Sequence, residues 1–166
     1  MGVVAARYDE DCASISTEEA LSPMLDVLEE LAAGGAALEF AIGTGRVGLP
    51  LAARGVPVSG IDLSEDMVDE LRRKPGGDAL PVIIGDMATT TVPGTYDLVT
   101  QQLTSHHYRV GDRELLASHH RWVWFGEMDL MARMGGMRLR ERWADWQRTP
   151  PTNDNTGLVS IYEKPN

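Results

Sequence analysis

The sequence predicts an α/β fold, in which helices wrap a parallel sheet and an antiparallel half follows. Two observations support this prediction. The first hundred of the 166 residues alternate between helical and strand patterns, which is typical of parallel strands joined by right-handed crossovers. A glycine turn, Gly43–Gly45, follows the first predicted strand. The length suits a single domain, 1–166, with an N-terminal arm or lid at 1–20 and two halves at 21–100 and 101–166.

The first twenty residues are polar and acidic, and Tyr8 is their only aromatic side chain. They predict a flexible arm or a lid. A helix should then begin at Ser22 and Pro23, because serine is a good N-cap and proline suits the first helical position. Leu25 and Leu28 recur at helical spacing, and the glycine pair after residue 33 should end this helix.

Four short apolar runs predict buried parallel strands. They lie at residues 36–42, 56–62, 81–86 and 96–99. The second and third runs end in an acidic residue. The helix after the glycine turn should end near Gly55, and Ser64 is a suitable N-cap for the next helix.

The pattern changes after residue 100. Residues 101–110 and 113–123 flank Gly111 and Asp112, and so predict an antiparallel hairpin with a two-residue turn. Beyond the hairpin, the pattern predicts one helix and two strands, at residues 126–134, 137–143 and 158–162.

The composition excludes several classes of partner. The formal net charge of −10 repels polyanions, so we expect no nucleic-acid partner. No apolar run approaches the ~20 residues that a membrane span needs, and the N-terminus lacks the features of a signal peptide. The single cysteine, Cys12, rules out an internal disulfide. We therefore expect a cytoplasmic protein with no membrane partner.

The glycine turn is the strongest candidate for a ligand site. Glycines between a strand and a helix let a ligand approach the backbone, where free N–H groups are available. The segment from Gly43 to Gly48 matches G-x-G-x-x-G, and Asp62 follows at about the distance expected for a ribose-binding acid. This pattern alone leaves a dinucleotide ligand open. Two further acidic residues, Glu39 within the first predicted strand and Asp86 after the third, make a dinucleotide the less favoured ligand.

These residues together resemble the first motif of the class I S-adenosylmethionine-dependent methyltransferases, in which an acid precedes spaced glycines. Glu39, Gly43 and Gly45 match that motif, and Ala41 replaces its first glycine, a change that we expect a strand to tolerate. The resemblance implies a Rossmann-like sheet and S-adenosyl-L-methionine as the cofactor. Gly43 and Gly45 would then face the methionine moiety, with Glu39 supporting the loop.

By the same resemblance, Asp62 takes the ribose hydroxyls, Asp86 binds the adenine amino group and Met87 lies beside the ring. Tyr8 belongs to the arm that closes over the cofactor in related enzymes. The complete predicted cofactor-binding set is Tyr8, Glu39, Ala41, Gly43, Thr44, Gly45, Asp62, Leu63, Asp86 and Met87. A structural alternative stays open, in which the glycines serve only the turn and the acids only cap the following helices.

The resemblance departs from the family near Thr100. The family's sheet normally has seven strands, whereas this chain lacks room for about one strand and its flanking helices, as in an internally shortened member. Such a loss leaves backbone edges that must be paired again, either by the last strands or by a second copy. Exposed apolar surface favours a homodimer through the hairpin. Four tryptophans lie in this half: Trp122, Trp124, Trp143 and Trp146.

Methyl transfer needs a base only where the acceptor arrives protonated. If the turn has two residues, the residue numbers of any two residues that face each other in the hairpin add up to 223. This pairing places His106 and His119 on one face with backbones ~7 Å apart. These two residues are the candidate catalytic groups. Such a pair could also hold a metal, but we predict none, and histidines on a ribbon commonly make only structural hydrogen bonds.

The leading hypothesis is therefore a homodimeric methyltransferase that uses S-adenosyl-L-methionine and modifies a small-molecule acceptor. The shortened half leaves open an alternative from another class, a non-catalytic binding or dimerisation module. A non-methylating catalyst, such as a cyclase, and a nicotinamide-dependent oxidoreductase are further alternatives.

Overall fold

The computed structural model describes residues 2–101, 109–110, 114–115, 125–155 and 157–165. The chain forms two compact units, an N-terminal unit of residues 1–102 and a C-terminal unit of residues 103–166. The predicted α/β fold is confirmed, because the first unit contains a parallel sheet and the second contains antiparallel strand pairs. The boundary between the units lies close to Thr100, where the sequence departs from the family pattern. The assignment of a single domain stays a prediction.

The N-terminal unit is built on a sheet of parallel strands at the predicted positions. The strands are β1 (Ala37–Phe40), β2 (Val58–Asp62), β3 (Val82–Ile84) and β4 (Leu98–Gln101). They lie in the order β3-β2-β1-β4, and each neighbouring pair is parallel. Because the strand order reverses beside β1, the carboxyl ends of β1 and β4 flank the position at which such sheets bind ligands.

The helices described in this unit are α1 (Gly2–Asp11), α2 (Glu18–Ala32), α3 (Gly48–Ala53) and α4 (Glu65–Arg72). The predicted cap of α4 is confirmed, because the Ser64 side chain accepts a hydrogen bond from Met67 N at 3.3 Å. Short 3₁₀ turns lie at Ala13–Ile15 and Gly77–Ala79. Across the part of the chain that the structure describes, no helix is both long and apolar enough to cross a membrane.

Helix α1 occupies the N-terminal segment for which a flexible arm or a lid was predicted, and it is an ordered element that packs against α4. Ala5 and Cys12 on this helix and just after it are 4% and 0% exposed. The sequence did not predict a helix here because polar and acidic residues dominate the segment. The helical spacing of Ala5, Tyr8 and Cys12 is the signal that could have identified it.

Helix α2 begins earlier than predicted. Thr17, rather than Ser22, is the N-cap, and its side-chain oxygen accepts a hydrogen bond from Ala20 N at 3.2 Å. Two acidic residues in the first turn favour this start because they interact well with the helix dipole. Pro23 therefore lies inside the helix, where its missing N–H removes one backbone hydrogen bond.

An apolar core joins these helices to the sheet. Leu51, Ile61 and Leu71 are its largest fully buried apolar side chains, and each is at most 1% exposed. Full burial of such a side chain stabilises the fold by about 1.5–3 kcal/mol. Helix α2 adds a buried stripe made of Leu21, Met24, Leu25, Val27, Leu28 and Ala32. This packing holds the strand ends, and the turns that follow them, in fixed positions.

The C-terminal unit begins with a short antiparallel pair, β5 (Arg109–Val110) and β6 (Glu114–Leu115). The predicted hairpin is confirmed, but its predicted register is wrong by one residue. Arg109 pairs with Leu115, so paired positions sum to 224 rather than 223. The reason is that three residues, not two, join the strands, and three-residue connections are the next most common hairpin loops.

The other elements described in this unit are α5 (Phe125–Met134), β7 (Arg138–Trp143) and β8 (Val159–Glu163), close to the predicted bounds. Strands β7 and β8 pair with each other in an antiparallel sheet. Within the described residues, β4 pairs with β1, so the alternative in which the last strands close onto β4 is not observed.

A polar network joins α5, β7 and β8. The Arg142 guanidinium donates to both carboxylate oxygens of Asp129 and, at 2.9 Å, to Ser160 Oγ. The Tyr162 hydroxyl donates to the same carboxylate. The bond from Arg142 lowers the pKa of Asp129 and raises that of Arg142, while burial raises the pKa of Tyr162. Charge-assisted hydrogen bonds therefore tie these three elements together.

Candidate functional site

The glycine turn joins β1 to α3 at the carboxyl edge of the parallel sheet. Its backbone is left-handed at three positions, with φ of 55° at Ala41, 56° at Gly43 and 79° at Gly45. Ala41 lies just beyond β1, so the expectation that a strand accommodates it in place of glycine is wrong. An alanine in this conformation costs about 1 kcal/mol relative to glycine.

The glycines of the turn have different roles. A Cβ on Gly45 would lie 2.8 Å from a leucine side chain, and one on Gly48 would lie 2.7 Å from Glu39 Oε2, so both glycines permit close packing. Gly43 differs, because the atom nearest to its Cβ position is Ala41 O, at 3.9 Å. The open space beside Gly43 is what a ligand needs to approach the backbone.

Asp62 ties the glycine turn to the end of β2. Its Oδ2 accepts a hydrogen bond from Gly43 N at 2.7 Å, and its Oδ1 accepts one from Ser64 N at 2.8 Å. Each carboxylate oxygen keeps a second acceptor position. Asp62 therefore connects the glycine turn to the residue that caps α4, but it does not cap that helix itself, as the alternative interpretation would have it. It can still accept hydrogen bonds from the hydroxyl groups of a ligand.

Asp86 lies two residues beyond β3, next to the end of β2. Gly85 N donates to Asp62 O at 2.8 Å, and this bond holds the two strand ends together. Asp86 is exposed, and its Oδ1 accepts a hydrogen bond from Ala88 N at 2.8 Å. The two predicted acids thus follow neighbouring strands at one edge of the sheet, and both retain acceptor capacity.

Exposed apolar side chains accompany these acids. Leu63 is 74% exposed and Met87 is 42% exposed, and each directly follows one of the two acids. Gln101 Nε2, at the carboxyl end of β4, lies 3.7 Å from Met87 Sδ. Apolar surface combined with a few polar groups is typical of sites that bind a flat aromatic ring.

Glu39 is buried in β1, next to the glycine turn. It is 5% exposed, and its Oε2 has no hydrogen-bond partner among the described residues. Burial raises the pKa of Glu39 from 4.5 to about 8, although Arg46 and the Gly48 N–H oppose this shift. The acid predicted to support the turn is thus a carboxyl group whose charged form is disfavoured.

A clamp that the sequence did not predict holds α1 against the glycine turn. Thr44 Oγ1 donates to Asp9 Oδ1 at 2.7 Å, and Lys74 Nζ lies 2.6 Å from Asp9 Oδ2. Lys74 Nζ also donates to Thr44 O at 2.8 Å. Thr44 is fully buried. Its two partners lie 35 and 30 residues away in the sequence, so no local pattern could reveal them.

Tyr8 lies on α1, close to the same turn. Burial raises the pKa of Tyr8 to about 12, Cys12 adds to the shift, and Arg46 opposes it. Arg46 Nη1 donates to Ile15 O at 3.4 Å, which links the turn to the segment after α1. Arg46 was not in the predicted set, and its guanidinium is suited to a ligand carboxylate.

The candidate catalytic residues His106 and His119 lie outside the described residues, and their role stays a prediction. Their predicted juxtaposition depended on a pairing sum of 223, whereas the described pairs sum to 224. Trp143 is 7% exposed and lies under the Arg148 guanidinium, 5.0 Å from the ring centroid. This tryptophan therefore belongs to the core of its unit.

Comparisons with known proteins agree with this geometry. A family model described as a methyltransferase domain matches residues 37–124, just over half of the chain. The match includes the glycine turn and both strand-end acids. A comparison with curated proteins finds no match.

Solved structures share the fold at low sequence identity. The CcbJ methyltransferase from Streptomyces caelestis has a TM-score of 0.70 and 22% identity, over 86% of this chain and 88% of that chain. A TehB-like SAM-dependent methyltransferase from Corynebacterium glutamicum has a TM-score of 0.67 and 19% identity, over 86% and 88%. The glycopeptide N-methyltransferase MtfA, solved with sinefungin, has a TM-score of 0.60 and 12% identity, over 86% of both chains.

Proposed function

This chain belongs to the methyltransferase domain family, and we propose that it binds S-adenosylmethionine and transfers its methyl group to a small-molecule acceptor. The observation that carries this proposal is the hydrogen bond from Gly43 N to Asp62 Oδ2, which is 2.7 Å long. It joins an accessible glycine backbone to a strand-end carboxylate at the edge where parallel sheets bind ligands.

The residues at this edge fit the cofactor. Asp62 has acceptor positions left for the ribose hydroxyls, and Asp86 has them for the adenine amino group. Leu63 and Met87 offer exposed apolar surface to the adenine ring. The open space beside Gly43 suits the methionine moiety.

The remaining members of the predicted set shape and cover the turn. Ala41, Thr44 and Gly45 form its backbone, Glu39 lies buried next to it, and Tyr8 lies on the helix that the Asp9–Thr44 bond holds against it. This arrangement supports a role for α1 in enclosing the cofactor.

When bound, the cofactor would supply a sulfonium methyl group to the acceptor nucleophile, and the neutral thioether S-adenosylhomocysteine would be the leaving group. The contribution of the chain is to hold this group and the acceptor in a reactive geometry, which accounts for much of the rate of such reactions. Where the acceptor arrives protonated, His106 or His119 would take its proton.

Two observations support a small-molecule acceptor. The net charge of −10 disfavours polyanionic acceptors such as nucleic acids. MtfA, which shares the fold, is a glycopeptide N-methyltransferase, so an acceptor of that size is compatible with the fold.

We further propose that the protein is a cytoplasmic homodimer. Exposed apolar side chains on α5 support self-association, since Leu130 is 54%, Met131 is 62% and Met134 is 80% exposed. Apolar surface of this kind is commonly buried between two copies of a chain. The hairpin at 101–123, through which the dimer was predicted, lies mostly outside the described residues.

The small parallel sheet favours a second candidate function. Four parallel strands are described, whereas the sheet of the family that the sequence resembles normally has seven strands in all. A reduced acceptor-binding half would leave a protein that binds the cofactor without transferring its methyl group. Such a protein would act as a binding or dimerisation module, or as a non-methylating catalyst.

Calorimetric titration with S-adenosylmethionine and S-adenosylhomocysteine tests the cofactor proposal. We expect the wild-type protein to bind both compounds. Asp62→Ala should weaken binding by about tenfold or more, because hydrogen bonds to charged groups contribute ~1.5–3 kcal/mol. Asp97→Ala is the matched control, since its carboxylate accepts a hydrogen bond from Ala36 N at 3.2 Å, before β1 and β4, and it should leave the affinity unchanged.

Failure to bind either compound, or equal binding by Asp62→Ala and the wild type, would contradict this proposal. Labelled methyl groups then separate the two candidate functions. Incorporation of label into the small-molecule fraction of a cell extract is expected for a methyltransferase. Cofactor binding without any incorporation would favour the second candidate.

A further inference from the structure

Glu39 is a buried acid next to the proposed cofactor site. It is 5% exposed, and its Oε2 has no hydrogen-bond partner among the described residues. Its register neighbours, Gly60 on β2 and Thr100 on β4, carry no charge. A Cβ on Gly48 would lie only 2.7 Å from Oε2, so the backbone at the start of α3 closes over the carboxyl group.

The charged groups that act on Glu39 are Arg46 from the glycine turn and Asp62 at the end of β2. Burial is the largest influence and raises the pKa of Glu39 from 4.5 to about 8. Arg46 and the Gly48 N–H lower this pKa, and Asp62 raises it. Near neutral pH the group is therefore mostly uncharged, and a positive charge placed beside it would favour ionisation.

We propose that Glu39 couples cofactor binding to proton release, as a neutral acid that ionises when S-adenosylmethionine occupies the glycine turn. The carboxyl O–H bond breaks, its electron pair stays on the carboxylate, and the proton passes to the buffer. This inference rests on the proposed function, because it requires that the cofactor binds at this turn.

The charge of the ligand gives the inference a specific consequence. S-adenosylmethionine carries a sulfonium and an ammonium group against one carboxylate, so it is a net cation. S-adenosylhomocysteine lacks the sulfonium group and is a neutral zwitterion. Since only the methyl donor brings net positive charge to Glu39, an ionised Glu39 distinguishes donor from demethylated product.

The direction of the pH dependence follows from proton counting. The complex with S-adenosylmethionine holds fewer protons than the free protein, so its affinity rises as the pH increases. The rise should reach up to about tenfold per pH unit and should level off above about pH 8, where free Glu39 is already ionised. The affinity for S-adenosylhomocysteine should change much less over the same range.

Calorimetric titration of the full chain in buffers of different ionisation enthalpy measures the protons released. At about pH 7 we expect S-adenosylmethionine to release close to one proton per site, and above about pH 9 close to none. S-adenosylhomocysteine should release clearly fewer protons at both pH values. This measurement needs no variant, so it does not depend on how a substitution affects folding.

Glu39→Gln removes the titrating group with little change in shape. This variant should bind S-adenosylmethionine without proton release, with an affinity that no longer depends on pH. Glu70→Gln is the matched control, because Glu70 pairs with Arg73 on the surface of α4. It should keep the proton release of the wild type.

Cofactor binding with an enthalpy independent of the buffer would overturn the inference and leave the proposed function intact. Equal proton release by Glu39→Gln and the wild type would also overturn it, because another group would then be titrating. If the wild type bound neither compound at any pH, the inference and the proposed function would both be overturned.

Discussion

The two units of this chain are stabilised in different ways. In the N-terminal unit, helices and sheet bury a continuous apolar core that includes Leu51, Ile61 and Leu71. Among the described residues of the C-terminal unit, the buried apolar side chains are Ala132 and Trp143. The difference teaches that apolar burial fixes the parallel sheet, whereas polar bonds have the larger part among the described residues of the C-terminal unit.

The network around Arg142 is the clearest example of this dependence. It connects α5, β7 and β8 through the Asp129 carboxylate. Hydrogen bonds between charged groups are directional, so they define which elements meet. They are also weakened by salt where solvent reaches them, unlike the buried core of the N-terminal unit.

The largest expected effect comes from truncating that core. Ile61→Ala should lower the free energy of unfolding of the N-terminal unit by about 3 kcal/mol, since Ile61 is 0% exposed and its loss leaves a cavity. Hydrogen exchange of the β1–β4 amides measures this loss. All four tryptophans lie between residues 122 and 146, so their fluorescence follows the C-terminal unit separately and should change little.

Ile84→Ala is the matched control, because Ile84 on the adjacent strand β3 is 42% exposed. It should cost less than about 1 kcal/mol. Equal losses of stability for the two variants would contradict the contrast between the units. It would also be contradicted if Ile61→Ala changed the tryptophan signal as much as the hydrogen exchange of the β1–β4 amides.

A smaller effect is expected at the surface of α5. If the exposed apolar side chains pack between two copies, Met134→Lys should weaken the dimer by at least about tenfold, because it places charges of like sign in the interface. Light scattering across a concentration series measures this change. Asp69→Lys, an exposed charge change on α4, should leave the dimer intact. A monomeric mass for the wild type at micromolar concentration would contradict the dimer.

The smallest expected effect is a gain in stability at the glycine turn. Ala41→Gly should raise the free energy of unfolding of the N-terminal unit by about 1 kcal/mol, because glycine adopts the left-handed backbone of this position without strain. Chemical denaturation followed by circular dichroism measures the gain.

Ala33→Gly provides the comparison for this prediction. Ala33 is the C-cap of α2 and has a φ of 49°. Ala33→Gly should therefore stabilise the protein about as much as Ala41→Gly does. It should leave the cofactor affinity unchanged. A loss of stability for both variants would show that the left-handed backbone at these alanines is not a source of strain.

The sequence predicted the elements that depend on local pattern. The four parallel strands follow from apolar periodicity, and the Ser64 cap follows from capping chemistry. The predicted start of α2 at Ser22 was wrong, because proline also occurs inside this helix and Thr17 is the N-cap. The hairpin register was wrong because loop length, rather than turn composition, sets it.

The features that could not be predicted depend on contacts between distant residues. The pairing of Asp9 with Thr44 and Lys74 needs the sheet to be folded first. The burial of Glu39 was foreseeable from its strand. That its Oε2 has no hydrogen-bond partner within the described part of the chain was not. The left-handed backbone at Ala41 was also hidden, because alanine rarely marks such a position.

The clamp on Thr44 has a consequence for the order in which segments of the protein fold during synthesis. Helix α1 leaves the ribosome before the rest of its unit, but Lys74, which binds both Asp9 and Thr44, is synthesised more than sixty residues later. Short isolated helices are marginal in water, so α1 should stay unstructured until α4 has emerged. Helix α1 would then be among the last segments of its unit to fold, and it would complete the cover of the glycine turn.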